Sequence, residues 1–347
     1  MIPRQSMRAR ARRSRRTAAL IGAALLAGLT GCQRGERGPP VRPWRVAVLQ
    51  PDDGVDARQA VQGLAGGLRA AGLQPDRDYV LTVHQAHGRP AALSDLARAA
   101  AQGGANTLVA IGTPALQAAL AAAPRTPIVF TDVADPALAG VRPHSLWQRW
   151  LPWLVGDDRA PVTGAYATGG FAALVSASAG VTNGTWGAVV ASSDPDSVGY
   201  GDALRAGAQP LGRAVEFETV AEAVAVPAAA VRLCSRGVTA LVALGDPVTD
   251  AAFNALVEAA HECRVPVLGT LGVHAAGATV TVARDTKGAA RQAGRLVGRI
   301  AAGEDPRQID FVAVERRRLI VNAAAADSAG IGLPLTLVQS ADEVIGD

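Results

Sequence analysis

The chain alternates short apolar runs with stretches whose apolar residues recur every three or four positions. The first kind reads as strand and the second as amphipathic helix. RVAVLQ (45–50) predicts a strand and DARQAVQGLAGGLRAAG (56–72) a helix. The unit repeats as YVLTVHQ (79–85) with AALSDLARAAAQGG (91–104), then as NTLVAIG (106–112) with a helix from Pro114. PIVFTD (127–132) completes a first half. A second half restarts at VTGAYA (162–167) and runs through WGAVVAS (186–192), AVEFETV (214–220), VTALVALG (238–245) and PVLGT (266–270). ATVTVA (278–283) leads into a long helix, TKGAARQAGRLVGRIAAG (286–303), and RLIVN (318–322) is a late strand. Such alternation predicts an α/β protein of two halves, each a parallel sheet flanked by helices.

Four strand ends share one device. GTP (112–114), DVADPAL (132–138), SSDPDSVG (192–199) and GDPVTD (245–250) each place Thr, Ser or Asp, usually with Pro, at a helix entry. Locally this is capping: in VAIGTPALQAAL, Thr113 suits a cap and Pro114 the first helical position. Such a helix start also offers free N–H groups and a positive dipole end to an anion. All four lie at the carboxyl ends of parallel strands, where open α/β sheets bind ligands. Between the halves, HSLWQRWLPWLVGDDR (144–159) carries Trp147, Trp150 and Trp153 at a spacing of three, broken by Pro152. It reads either as a surface insertion packing its indoles on one lobe, or as a lid or partner contact.

Charge changes the picture at the N-terminus. The 347-residue chain has a formal charge of +4, yet residues 1–16 hold seven arginines and no acid. TAALIGAALLAGLTG follows and ends at Cys32. A basic head, a short apolar core and small residues before a cysteine describe an export signal over 1–31, too short for a membrane span. LTGC at 29–32 resembles a bacterial lipobox, which implies a lipid-modified Cys32 and an envelope anchor on the periplasmic side. SRRTAAL resembles a twin-arginine signal imperfectly, which leaves the export route open. Residues 32–43 then form a Gly- and Pro-rich tether. Without residues 1–31 the 34 basic residues fall to 27, against 30 acids, a net charge of −3. Nucleic acid is therefore not an expected partner. At 49% apolar and 18% charged, the body is globular.

Catalytic templates are missing. No G-x-G-x-x-G follows a strand, and there is neither a Walker A run nor a G-x-S-x-G elbow. The histidines at 84, 87, 144, 261 and 274 are scattered, so neither a metal site nor a cofactor is expected. Lys287 is the only lysine and has no base beside it, and no enzyme is expected. Cys234 and Cys263 each end a helix just before strands that should be neighbours. They read as a disulfide in an oxidising compartment, or as two buried thiols.

RVAVLQ with VDARQAVQGLAGGLRAAGL, VAIGTPALQAA, PIVFTDVADPALAG, VTG at 162–164 and the closing LIVNAAAADSAGIGLPLTLVQSADEVI resemble ABC-transporter substrate-binding proteins of the tryptophan/tyrosine type. The resemblance implies a two-lobed type 1 periplasmic-binding fold that closes on a small solute, with an ABC permease as partner and a monomeric chain. It implies lobe one over 44–134 plus 276–305 and lobe two over 135–275 plus 306–347. It places Thr113, Ala115 and Gln117 on the first-lobe wall, Thr131 and Asp132 near the hinge, and Asp196, Ser197 and Asp246 on the second lobe. Where the family shows an Asp-Tyr-Tyr-like stretch, Ala283, Arg284 and Asp285 stand here, and Leu271 or Gly272 replaces an acid. The expected solute is an amino acid or close relative, its carboxylate at the N–H groups of Thr113-Pro114-Ala115 and its ammonium at Asp246. Arg284 and Asp285 in place of aromatic rings suit a polar or second acidic group as well as an indole. A sensor subunit of the same fold and a non-binding envelope lipoprotein are the rival readings.

Overall fold

A computed structural model describes residues 42–134, 136–141, 160–167 and 170–346. The expected export signal, Cys32, most of the expected tether and the tryptophan segment at 144–159 lie outside the described residues. The first succession is β1 (Trp44–Gln50), α1 (Val55–Ala70), β2 (Tyr79–Gln85), α2 (Leu93–Gln102), β3 (Thr107–Ile111), α3 (Thr113–Ala122), β4 (Ile128–Thr131) and β5 (Val162–Ala167). The second is α4 (Phe171–Ala177), β6 (Trp186–Ala191), α5 (Pro195–Ala208), β7 (Val215–Val220), α6 (Val226–Ser235), β8 (Ala240–Ala243), α7 (Pro247–Ala251), α8 (Phe253–Cys263), β9 (Val267–Gly269) and β10 (Val280–Arg284). The chain closes with α9 (Thr286–Ala301), β11 (Val312–Val314), β12 (Arg317–Asn322), α10 (Ala323–Ala329), α11 (Leu335–Ser340) and β13 (Glu343–Ile345).

These strands form two sheets, ordered β11-β5-β4-β3-β1-β2 and β13-β12-β10-β9-β8-β6-β7. Each is the centre of a lobe, with apolar cores on both faces. In the first lobe Leu93 and Leu116 pack on one face with Leu49, Leu108 and Phe130. Leu64, Leu68, Leu296 and Val297 pack on the other with Val46, Val48 and Val109. The second lobe repeats this with Phe171, Leu174 and Leu204 on one side and Val226, Leu233 and Leu256 on the other. The α/β architecture expected from periodicity is therefore present, with one departure. β12 runs antiparallel to β10, so the second sheet is not wholly parallel.

Three assignments differ from the expected halves. Residues 162–167 do not open the second half; β5 completes the first sheet, with Ile128 to Thr131 in register with Val162 to Ala165. Without it, the fully buried β4 would leave a row of backbone groups unpaired. β11, within the stretch expected in lobe two, adds to β5 in the first sheet. β10, expected in lobe one, pairs with β9 and β12 in the second. The chain thus passes between sheets three times: after β5, between β10 and α9, and between β11 and β12.

The middle crossing is fixed by a close helix pair. α9 leaves the second sheet and lies against α1 of the first lobe. A Cβ on Gly67 would stand 2.1 Å from the carbonyl oxygen of Arg291, and one on Gly294 would stand 2.2 Å from that of Leu64. No side chain fits where two helix backbones touch. Gly67→Leu should therefore lower stability by at least ~1–3 kcal/mol, the usual cost of overpacking. An unchanged thermal midpoint in that variant would show that the helices can separate freely.

A disulfide joins the ends of α6 and α8, Cys234 to Cys263, with Cα atoms 6.1 Å apart and a sequence separation of 29. Loop closure over that length stabilises the folded state by about 3–4 kcal/mol in the chain-entropy view. Cys234→Ser should lower the denaturation midpoint under oxidising conditions, and added reductant should bring the wild-type midpoint down to match it.

Candidate functional site

The carboxyl ends of both sheets face each other, and the loops leaving them meet across the gap. α3 begins there. Its N-cap is Gly112, at φ 82°, a left-handed backbone that a side chain would strain. Thr113, expected to cap the helix, instead donates outward. Its N–H lies 2.7 Å from Asp196 Oδ2 and its hydroxyl 2.6 Å from Asp196 Oδ1, while the N–H of Ala134 reaches Oδ1 at 2.8 Å. The anion at this helix start is thus the protein's own, carried on α5 of the opposite lobe. Burial pushes the pKa of Asp196 up, and the Thr113 hydroxyl and both N–H donors pull it back.

Asp194 caps α5, accepting from the N–H of Asp196 at 2.9 Å. Burial, then the neighbouring Asp196 charge, push its pKa to about 7. Asp246 was expected to take a ligand's ammonium; it is 1% exposed and fully engaged inside its own lobe. It caps α7 by accepting from the N–H groups of Val248 and Thr249, and the hydroxyls of Ser197 and Thr249 donate to its other oxygen at 3.0 and 2.6 Å. Four donors fill the four lone-pair positions of a carboxylate. Ser197 is equally committed, accepting from the N–H of Ala191. Ala115 lies fully buried in the first-lobe core, away from the gap, and Gln117 is on the exposed side of α3. Here the contacts of Thr113 and Asp246 are made within the protein.

Arg284, at the end of β10, is the cation of the site. It is 7% exposed, its Nη2 donates to the carbonyl of Gly245 at 2.7 Å, and its guanidinium lies 4.3 Å from the Tyr200 ring centre. Burial opposes its charge, but Tyr200, Asp132, Asp56 and Asp250 outweigh that and hold its pKa above the ordinary value. Asp132, half-buried at φ 53°, is raised to about 6 by burial, against the pull of Arg284. Asp56, in the first turn of α1, is also raised, again chiefly by burial and against the same guanidinium. Among the described residues neither carboxylate makes an ion pair within 4 Å or a hydrogen bond; the contrast with Asp246 is complete. His274 accepts the Thr270 N–H at Nδ1, meets Asp250 from Nε2 at 2.9 Å and stacks on Phe253.

Several buried polar atoms here lack partners: Gln50 Oε1, Thr131 Oγ1, Arg284 Nε and Thr286 Oγ1. Thr131 is in register with Ile111, and Gln50 follows Leu49, the partner of Ala110, so the two flank the end of β3. A cavity of about 520 Å³ opens beside Arg284 and Thr286, with Asp56 and Gln59 from α1 on one wall and Leu271 to Val273 on another. Asp285 lines it while capping α9 through the N–H of Gly288. Asp56, Tyr200, Asp250 and His274 were not foreseen as site residues. Each lies in or near a helix or turn that follows a strand, and many residues share such a place. Among the described residues no group of His, Cys, Asp and Glu is arranged to hold a metal, and no helix is long and apolar enough to cross a membrane.

A two-lobed α/β body with a charged cavity between its sheets is a binding-protein architecture, the type 1 periplasmic-binding fold. The chain matches the family of ABC transporter substrate binding proteins over residues 45–145 and 185–345, and it belongs to that family. Such proteins bind a small-molecule ligand and a membrane permease. No curated protein matches the chain. A conserved domain protein from Vibrio cholerae O1 biovar eltor is similar in structure, with a TM-score of 0.77, 25% identity, and coverage of 87% of this chain and 99% of that one. An ABC domain from Streptococcus pneumonia in complex with L-Trp gives 0.77 at 20% identity, covering 87% of this chain and all 100% of that one. A ligand-free, open substrate binding protein with adhesive properties from Clostridium difficile gives 0.62 at 18% identity, covering 87% and 98%.

The raised pKa of Asp194 has a definite sign. Folded, it holds a proton up to about pH 7; unfolded, it releases it near its ordinary value of 3.8. Its contribution to stability is therefore complete below about pH 4 and is lost as pH rises towards 7. Asp194→Asn keeps the cap and removes the titration. Its thermal midpoint should exceed that of the wild type at pH 8 by ~2 °C or more, and the gap should shrink at pH 5. A gap independent of pH would mean that Asp194 is not desolvated in the folded protein.

Proposed function

We propose that this protein is the solute receptor of an ABC importer, exported and held at the cell envelope by lipid on Cys32. It closes its lobes on a small solute bearing both an amine and a carboxylate, an amino acid or close relative. One observation carries the reading. Asp132 and Asp56 are carboxylates without partners among the described residues, and they stand in the field of a buried Arg284 whose Nε is also unmatched. Leaving such groups desolvated and unpaired is costly, and a zwitterion satisfies both signs at once. Thr131 and Gln50 supply further unmatched polar atoms beside them. The L-Trp complex of the streptococcal relative supports an amino acid as the class.

Closure follows from the same geometry. Asp196 already joins the lobes through Thr113 and Ala134, and a solute held between Asp132 on one lobe and Arg284 on the other adds a second bridge. A ligand that bridges stabilises the shut form by its differential affinity for it, and the permease reads that form. Lobe one is then the first sheet with α1 to α3 and α9, and lobe two is the second sheet with the remaining helices.

Hydrogen bonds to charged groups contribute about 1.5–3 kcal/mol, so Asp132→Asn should weaken binding of the cognate amino acid tenfold or more. Asp246→Asn should lower the unfolding midpoint while leaving affinity nearly unchanged. Calorimetry with the twenty L-amino acids on the purified mature protein checks both. Undiminished affinity in Asp132→Asn removes the amine from this site.

A further inference from the structure

The 520 Å³ cavity carries more positive charge than one carboxylate requires. Arg284, Lys287, Arg316, Arg317 and Arg318 line it, against Asp56 and Asp285. Arg318 is paired with Glu343 at 3.3 Å. Lys287, Arg316 and Arg317 have no ion pair among the described residues.

Lys287, Arg316 and Arg317 are exposed, and strand pairing sets one of them beside the buried Arg284. β10 and β12 run antiparallel, and Arg284 stands directly opposite Arg317. Like charges facing each other across strands are destabilising. A Cβ on Gly170 would lie 3.1 Å from Cδ of Arg317, so that stem is constrained on one side. Arg284 and Thr286, at 7% and 3% exposure, both line the cavity, and Arg284 Nε and Thr286 Oγ1 lie buried without partners. Thr286 opens α9, a helix of 16 residues, so the positive end of a long dipole adds to the same field. Two opposed arginines and the start of a long helix face one cavity. An oxyanion in the cavity meets this positive field and offsets the repulsion between the arginines.

We infer that the cavity takes a second oxyanion of the solute, a carboxylate or a phosphate, so that the receptor selects an acidic amino acid or a phosphorylated amine over a neutral one. This rests on the solute-receptor reading above, and it gives the solute a direction: amine towards Asp56 and Asp132, second anion towards Arg317 and Lys287. The volume fits a solute of that size.

The test compares L-glutamate, O-phospho-L-serine and L-tryptophan by calorimetry on the mature protein, with Arg317→Gln and Lys287→Gln. At least one acidic solute should bind tenfold or more tightly than L-tryptophan, and either substitution should weaken it tenfold or more. Arg317→Gln should also leave the ligand-free thermal midpoint unchanged or higher, because it removes a repulsion; a merely structural role would lower it. L-tryptophan binding as tightly as both acids, or acid binding indifferent to Arg317→Gln, overturns the inference and leaves the amino-acid receptor standing. Should no amino acid bind while inorganic phosphate raises the midpoint in an Arg317-dependent way, the anion cavity stands and the amine reading falls. Silence from all four probes overturns both.

Discussion

A carboxylate removed from water must be met by donors, and the meeting of the two lobes is organised around one such group. Asp196 belongs to the second lobe, yet its donors at Thr113 and Ala134 belong to the first. Gly112 takes a left-handed backbone just before them, as the strand turns into the helix whose first N–H points at the carboxylate. Charge-assisted bonds of this kind are about twice as strong as neutral ones. They are also exclusive: with Asp196 seated there, no solute carboxylate can use the Thr113 N–H.

The acids around the gap divide by what they already touch. Asp246 is saturated by four donors, Asp194 serves one helix start, and Asp250 meets His274. Asp56 and Asp132 make no hydrogen bond or ion pair among the described residues and stand in the field of Arg284. The saturated groups fix loop shape; in the proposed receptor the unsatisfied ones meet the solute's amine. Arg284 links the two sets, since Tyr200 and the Gly245 carbonyl hold it in place while Asp132 and Asp56 keep it charged.

Nearly every strand was legible from apolar runs, and so was the helix start at Thr113, because both are local properties. Sheet membership was not. VTGAYA has the same pattern whichever sheet it joins, and only its pairing with β4 decides; VAV at 312–314 is too short a run to read as a strand. The motif at 112–114 did mark an anion-accepting helix start, but the anion sits 83 residues away, a tertiary fact that spacing does not encode. Asp246 misled for a related reason. A cap and a ligand contact use the same residue type at the same strand end, and they differ only in how many donors remain unassigned. Asp56 stayed hidden because one acid in a first helical turn is ordinary.

The crossing pattern also bears on how the protein is made. The first lobe contains residues 44–50 and residues 312–314, and the face of α1 that carries Leu64 and Leu68 is covered by α9. A ribosome adding about 5–20 residues per second needs some tens of seconds to pass from one end of that lobe to the other. Over that interval the part written first stands open, with a glycine-floored apolar groove along α1 exposed to whatever binds nascent chains. The lobe that is begun first cannot be completed until β11 is made, so a truncated product that stops before α9 lacks the helix covering one face of the first core and an edge strand of each sheet.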